Sequence, residues 1–125
     1  MMPNYHIERL GRPEAIFFIP ADKLNWQYMG SLTIKEELHD FLLVYCGVFT
    51  TTLIPLFGIY RSKDKKSAVY HQCYQYEVSF IGKDRYEISM GLLMSKLAVI
   101  ATRIKEECMY LKTGEDACLI YPSSS

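Results

Sequence analysis

Three histidines, four cysteines and ten tyrosines hold most of the chemistry open to this 125-residue chain. His71 is the first candidate. Polar and apolar residues alternate through Ala68 to Ile81 (AVYHQCYQYEVSFI), a period-two pattern that places Val69, His71, Cys73, Gln75, Glu77 and Ser79 on one side of a strand. Imidazole titrates near neutrality and suits proton transfer. His71 and Glu77 are six residues apart, too far for a hydrogen bond within one strand, so they flank a pocket only where a neighbour completes it. These two are the candidate catalytic residues. His71, Gln75 and Glu77, with Trp26 as a pocket wall, are the candidate ligand-binding residues. The plainer alternative makes His71 a polar residue on a solvated or interfacial sheet face and Trp26 a plug at the sheet edge. His39 sits among charges and is expected on a solvated helix face. His6 carries no signal.

Spacing argues against several other chemistries. Cys46, Cys73, Cys108 and Cys118 form no C-x-x-C pair, and His71 beside Cys73 has no second pair to complete a zinc site. Half the residues are apolar, so the chain does not need disulfide staples; four reduced, mostly buried thiols in a cytoplasmic setting are expected. The glycines at 47, 58, 82, 91 and 114 are isolated, so no phosphate-cradling loop is present, nor is a G-x-S-x-G elbow. No metal or cofactor is expected. Tyr70, Tyr74 and Tyr76 share the apolar side of their strand with Val78 and Phe80, and lack the pattern of RNA-stacking sheets, so they are expected in the core. Lys plus Arg equals Asp plus Glu, fourteen each. Without a basic excess to displace counterions, nucleic acid is not an expected partner. The cluster Lys63, Lys65 and Lys66 is expected to be a solvated hairpin tip.

The elements that position these residues turn on Phe41 to Tyr60, FLLVYCGVFTTTLIPLFGIY, which carries no charge. Twenty such residues are long enough to span a bilayer. Gly47, three successive threonines and Pro55 interrupt them, however. The apolar spacing also begins upstream, at Ile34 and Leu38, among Lys35, Glu36, Glu37 and Asp40, as in an amphipathic helix against a core. The stretch therefore predicts the end of one helix, a turn, and a strand from about Thr51 to Arg61 that is apolar on both faces. No membrane partner is expected, and the opening MMPNYHIERLGR lacks the apolar stretch of a secretory signal.

The remaining elements follow from pattern. Ala15 to Ile19 (AIFFI), between Pro13 and Pro20, predicts a strand. Thr33-x-x-Glu36 predicts a capping box opening a helix over about Ile34 to Cys46, with Gly47 in the left-handed position that ends it. Met90, Leu93, Met94, Leu97, Ile100, Ala101, Ile104 and Cys108 predict a second helix as one apolar stripe. Its start is open: Asp84-x-x-Glu87 is a capping box placing it near Arg85, or Arg85 to Ser89 is a short returning strand. Asp116 to Tyr121 predicts the last strand, and Tyr5 to Leu10 a further edge strand.

From Ala15 onward the order is β-α-β-β-α-β. This layout resembles the ferredoxin-like α+β fold, an antiparallel sheet with both helices on one face, over about residues 14–122 of a single domain, with 1–13 as an edge strand or arm. Strands apolar on both sides leave greasy residues on the helix-free face, which predicts a homodimer or higher homo-oligomer through that open face. The expected function is a small soluble oligomeric module that binds a ligand or regulates, with no evident catalytic motif. The alternative is a cofactor-free enzyme with an inter-subunit pocket using His71 for proton transfer. A nucleotide-binding sensor of the nitrogen-regulatory type shares this order, but its long signalling loop has no counterpart here.

Overall fold

The computed structural model describes residues 4, 6–7, 13–27, 32–61, 68–81, 86–114 and 116–122, with side chains at 13–14, 59–61 and 68–70 outside that description. The elements are β1 (Pro13–Pro20), a 3-10 turn (Ala21–Lys23), α1 (Ile34–Phe41), β2 (Val48–Thr51), β3 (Leu56–Arg61), β4 (Ala68–Ser79), α2 (Tyr86–Arg103), β5 (Met109–Thr113) and β6 (Ala117–Ile120). The sheet runs β2-β4-β1-β5-β6, with β3 also paired to β4, and each pairing is antiparallel. This is the ferredoxin-like α+β arrangement with added strand pieces at both edges.

Thr33 caps α1 as its spacing predicts. Its hydroxyl accepts the Glu36 N–H at 3.1 Å, while its own N–H donates to the Glu36 carboxylate at 3.2 Å. The helix then widens into a π-turn, Leu42–Cys46, where the Gly47 N–H donates to the Leu42 carbonyl at 3.0 Å. Gly47 has φ 106°, and a Cβ there would approach the Ile81 nitrogen and Ser79 oxygen at 3.0 Å. Both the torsion and the backbone wall exclude a side chain. Gly47→Ala is expected to cost about 1–3 kcal/mol in urea unfolding; an unchanged midpoint would show that the turn adapts.

The apolar run from Phe41 thus divides between a helix end and strands, and no helix among the described residues is long and apolar enough to cross a membrane. The expected strand 51–61 is corrected in one respect: it is two strands, beginning earlier, at Val48. Both pair with β4, Val48 opposite Ser79 and Leu56 opposite Cys73. Between them the Thr52 hydroxyl accepts the Gln75 N–H at 3.1 Å, the Thr52 N–H donates to the Gln75 carbonyl at 3.1 Å, and Pro55 has no N–H to offer. Leu53 and Ile54 are thrown outward, 92% and 77% exposed.

A second correction concerns the C-terminal region. α2 ends at Arg103, not near Cys108, and Lys105 turns the chain with φ 59°. β5 follows and pairs with β1, Phe17 opposite Leu111, so β5 is the fourth strand of the ferredoxin-like order. The segment expected as that strand, 116–121, contains β6, which is a hairpin extension on β5. Residues 86–89 belong to α2, not to a returning strand; Asp84 of the suggested capping box lies outside the described residues, as do the 62–67 turn and most of the suggested strand at 5–10.

One face of the sheet meets the helices. Ala15, Phe17 and Ile19 of β1, Tyr76 and Val78 of β4 and Leu111 of β5 are buried in one cluster with Ile34, Leu38 and Leu42 from the first helical segment and Leu93, Leu97 and Ile100 of α2. Tyr76 confirms the expected core tyrosine, Tyr74 is half-buried, and the Tyr70 side chain lies outside the described set. Of the four free thiols only Cys46 is buried; Cys73, Cys108 and Cys118 are half-buried, which corrects the expectation of mostly buried cysteines.

Candidate functional site

Among the described residues no helix lies on the opposite side of the sheet, and alternation along each strand decides what it presents. Glu77 lies across from Ile16, and Ile16 across from Lys112, so an acid, an aliphatic floor and a base form one row over three strands. Glu77 and Lys112 are therefore about 10 Å apart, two strand spacings. The next row places Gln75 across from Phe18, whose ring lies 5.9 Å from that of Tyr110 at an angle of 39°. Ile16, Phe18, Gln75 and Glu77 are half-buried, while Tyr110 and Lys112 are exposed. Phe18 and Tyr110 form an aromatic shelf. An acceptor and donor amide stands on one side of it, with a carboxylate and an ammonium in the adjoining row.

The sequence candidates are thus partly gathered. Gln75 and Glu77 belong to this surface. His71 is on the same face, opposite Gly58 and half-buried, yet six residues or roughly 20 Å from Glu77 along β4. One chain does not join the two in an acid–base pair. Cys73, between them, is opposite Pro20 and Leu56. Burial pushes its thiol pKa up, and the carboxylates of Glu106 and Asp22 push it further the same way. A thiol held protonated is a poor nucleophile.

Trp26 belongs to a strut beyond the end of β1. The Lys23 ammonium sits 5.4 Å from the centre of the indole ring and donates to Glu106 at 2.7 Å. The Trp26 N–H donates to the Lys23 carbonyl at 3.1 Å, and its carbonyl accepts from Ile34 at 2.8 Å. These contacts tie the turn after β1 to the start of α1 and to the segment that follows α2. They account for Trp26 structurally, although the ring remains 41% exposed.

Polar groupings among the described residues also lie on the helix side of the sheet. Glu37 of α1 pairs with Lys96, at 2.6 Å, and with Arg103, both on α2. Burial alone would raise the Glu37 carboxyl, but these two cations hold it below its usual range. It clamps helix to helix. A second grouping corrects the expectation for His39. That residue is half-buried, its ring 5.0 Å from Phe49, and its Nε2 lies 2.7 Å from the Tyr76 hydroxyl. Whether the N–H or the O–H donates depends on the imidazole tautomer. Burial lowers the His39 pKa, Lys35 adds to this, and Asp40 opposes it. Among the described residues, no three His, Cys, Asp or Glu side chains converge on a metal-sized site.

Sequence reasoning missed Phe18, Tyr110 and Lys112. For Phe18 a signal was present, since AIFFI is apolar at every position and so presents one phenylalanine to each face. Tyr110 and Lys112 were hidden because β5 itself was unassigned.

The fold and this face define a small ferredoxin-like α+β protein with an aromatic and charged open sheet surface. Solved structures of similar architecture include a phage SAM lyase in complex with S-methyl-5'-thioadenosine. It matches at a TM-score of 0.57 and 16% identity over 94% of this chain and 96% of that one. A phage SAM lyase in the apo state matches at 0.57 and 16% over 97% and 99%. No family model and no curated protein matches the chain. At this identity the likeness is one of fold.

Proposed function

We propose that this chain binds a small adenosine thioether or sulfonium, S-methyl-5'-thioadenosine or S-adenosylmethionine, on its open sheet face, and that it works as a homo-oligomer in the cytoplasm. The observation that carries the proposal is the shared architecture, end to end, with a lyase whose structure holds S-methyl-5'-thioadenosine. The face itself supplies suitable groups. Phe18 and Tyr110 offer rings for an adenine to stack on. The Gln75 amide both donates and accepts along a base edge. Glu77 accepts from ribose hydroxyls or faces a sulfonium.

Calorimetry with S-methyl-5'-thioadenosine and with S-adenosylmethionine tests this directly. Micromolar binding is expected for at least one of them. Loss of one stacked ring in Tyr110→Ala removes about 1–3 kcal/mol, roughly a five- to 150-fold weakening. No heat from either ligand overturns the proposal.

The second reading, a cofactor-free enzyme with His71 in proton transfer, is favoured by the neighbour being a lyase. Chromatography of S-adenosylmethionine incubated with the protein separates the two. Turnover that disappears in His71→Ala supports the enzyme, and binding without turnover supports the module.

A further inference from the structure

Among the described residues, the most exposed apolar surface is not the open sheet face but the edge made by β2, β3 and the π-turn before them. Leu43, Val44, Tyr45, Leu53, Ile54 and Phe57 are each more than two-fifths exposed, while Val48 and Leu56, opposite Ser79 and Cys73, belong to the open face. Leu53 and Ile54 lie in the outward loop between the two strands, and Leu43 and Val44 lie on the turn after α1. At roughly 100 Å² of exposed apolar area per side chain, the strip of these six offers about 600 Å². That is the lower end of one partner's share of a standard protein interface. By contrast, Ile16 and Phe18 at the centre of the open face are already half-buried. The exposed apolar residues of α2, Ile88, Leu92 and Val99, are interspersed with Glu87, Ser95 and Thr102.

The charge pattern selects the occupant. Residues 41–60 contain no Asp, Glu, Lys, Arg or His, so the strip neither attracts nor repels a charged partner and is complementary to itself. The whole chain carries fourteen charges of each sign, so copies do not repel one another at long range. Pairing by simple sheet extension is blocked where the edge is broken at 52–55 and Pro55 lacks a donor. Side-chain packing is what remains. We infer that a second copy of this chain docks on the β2–β3 edge, through Leu43, Val44, Leu53, Ile54 and Phe57, and leaves the open sheet face free for its ligand. The inference rests on the homo-oligomer reading above and moves the contact from the face to the edge.

Sedimentation velocity at about 50 µM tests it with four proteins, a concentration at which standard-sized interfaces are occupied. The unaltered chain is expected as a dimer or larger. Leu53→Asp/Ile54→Asp is expected as a monomer with unchanged far-ultraviolet circular dichroism, because neither side chain is in the core. Leu43→Glu/Val44→Glu is an independent pair at the other end of the strip, with the same expectation. Leu119→Asp, on the open face, is expected to assemble as the unaltered chain does. A monomeric unaltered chain overturns both the inference and self-association itself, and if that monomer cosediments with phospholipid vesicles the strip serves a lipid surface instead. Assembly that survives both edge variants, or that is lost in Leu119→Asp, overturns the edge assignment alone.

Discussion

Phe17→Ala is expected to lower stability by about 3–5 kcal/mol, a large share of what a domain of this size holds. Phe17 is at the middle of β1, the central strand, with Tyr76 opposite on one side and Leu111 on the other. Its ring is fully buried and stacks on that of Tyr76, with centroids 5.2 Å apart and planes within 3°. Removing it deletes the transfer free energy of a phenyl group and leaves a cavity bounded by two strands that cannot move inward together. Phe18, its neighbour, points to the opposite face and is half-buried. Phe18→Ala is expected to cost less than half as much, about 1–2 kcal/mol. Urea unfolding followed by circular dichroism, with both variants compared at equal m-value, measures the difference. Equal costs would mean that β1 is not in this register, since a slip of one residue exchanges the two faces. With it would go the placement of Phe18 beside Gln75.

The comparison of these two phenylalanines also shows what was legible in the sequence. AIFFI announces a strand apolar on both sides, but period two alone does not say which face the helices take. That is decided by β4, where Tyr76 and Val78 alternate with Gln75 and Glu77, and register passes the choice on to β1. The capping box at Thr33 and Glu36 and the stripe from Met90 to Ala101 were legible because local chemistry and packing agree there. The end of α2 was not. Ile104 is buried at helical spacing although it already lies in the turn, so the stripe continues past the helix. That false continuation concealed β5, a strand of five residues including Lys112, and with it Tyr110 and half of the candidate surface. The break in 48–61 was marked by Pro55, but nothing local showed that the Thr52 hydroxyl would take over a ladder bond. His39 was misplaced for a similar reason. Its neighbours Lys35 and Asp40 are solvated, whereas its own partner is thirty-seven residues away on β4.

That partner gives the second large effect, which appears with pH. Burial pushes the Tyr76 phenol up to about 12, and the nearby Thr51 hydroxyl offsets this only in part. The unfolded chain releases the same proton near pH 10. Between these values the folded protein binds more protons than the unfolded one, so stability falls as pH rises. The loss begins near pH 10, proceeds at about 1.4 kcal/mol per unit, and reaches roughly 2–3 kcal/mol by pH 12. At the acid end the sign is reversed. His39 has its pKa lowered on folding, first by burial and then by Lys35, so the unfolded chain takes up the proton first. Its contribution is intact above the ordinary histidine range and is lost as pH falls below about 6.5. Other tyrosines and the lysines titrate in the same alkaline window, so the effect of Tyr76 is read as a difference. Tyr76→Phe keeps the ring stacked on Phe17 and removes only the hydroxyl. It is expected to cost about 1 kcal/mol at pH 7, where His39 loses its hydrogen-bond partner. The gap to the unaltered chain should then narrow and reverse between pH 10 and 12, as measured by urea midpoints along the series. Parallel curves for the two proteins would show that Tyr76 ionises as readily in the folded chain as in the unfolded one, and that the wall of helix, Phe49 and Phe17 around it admits water.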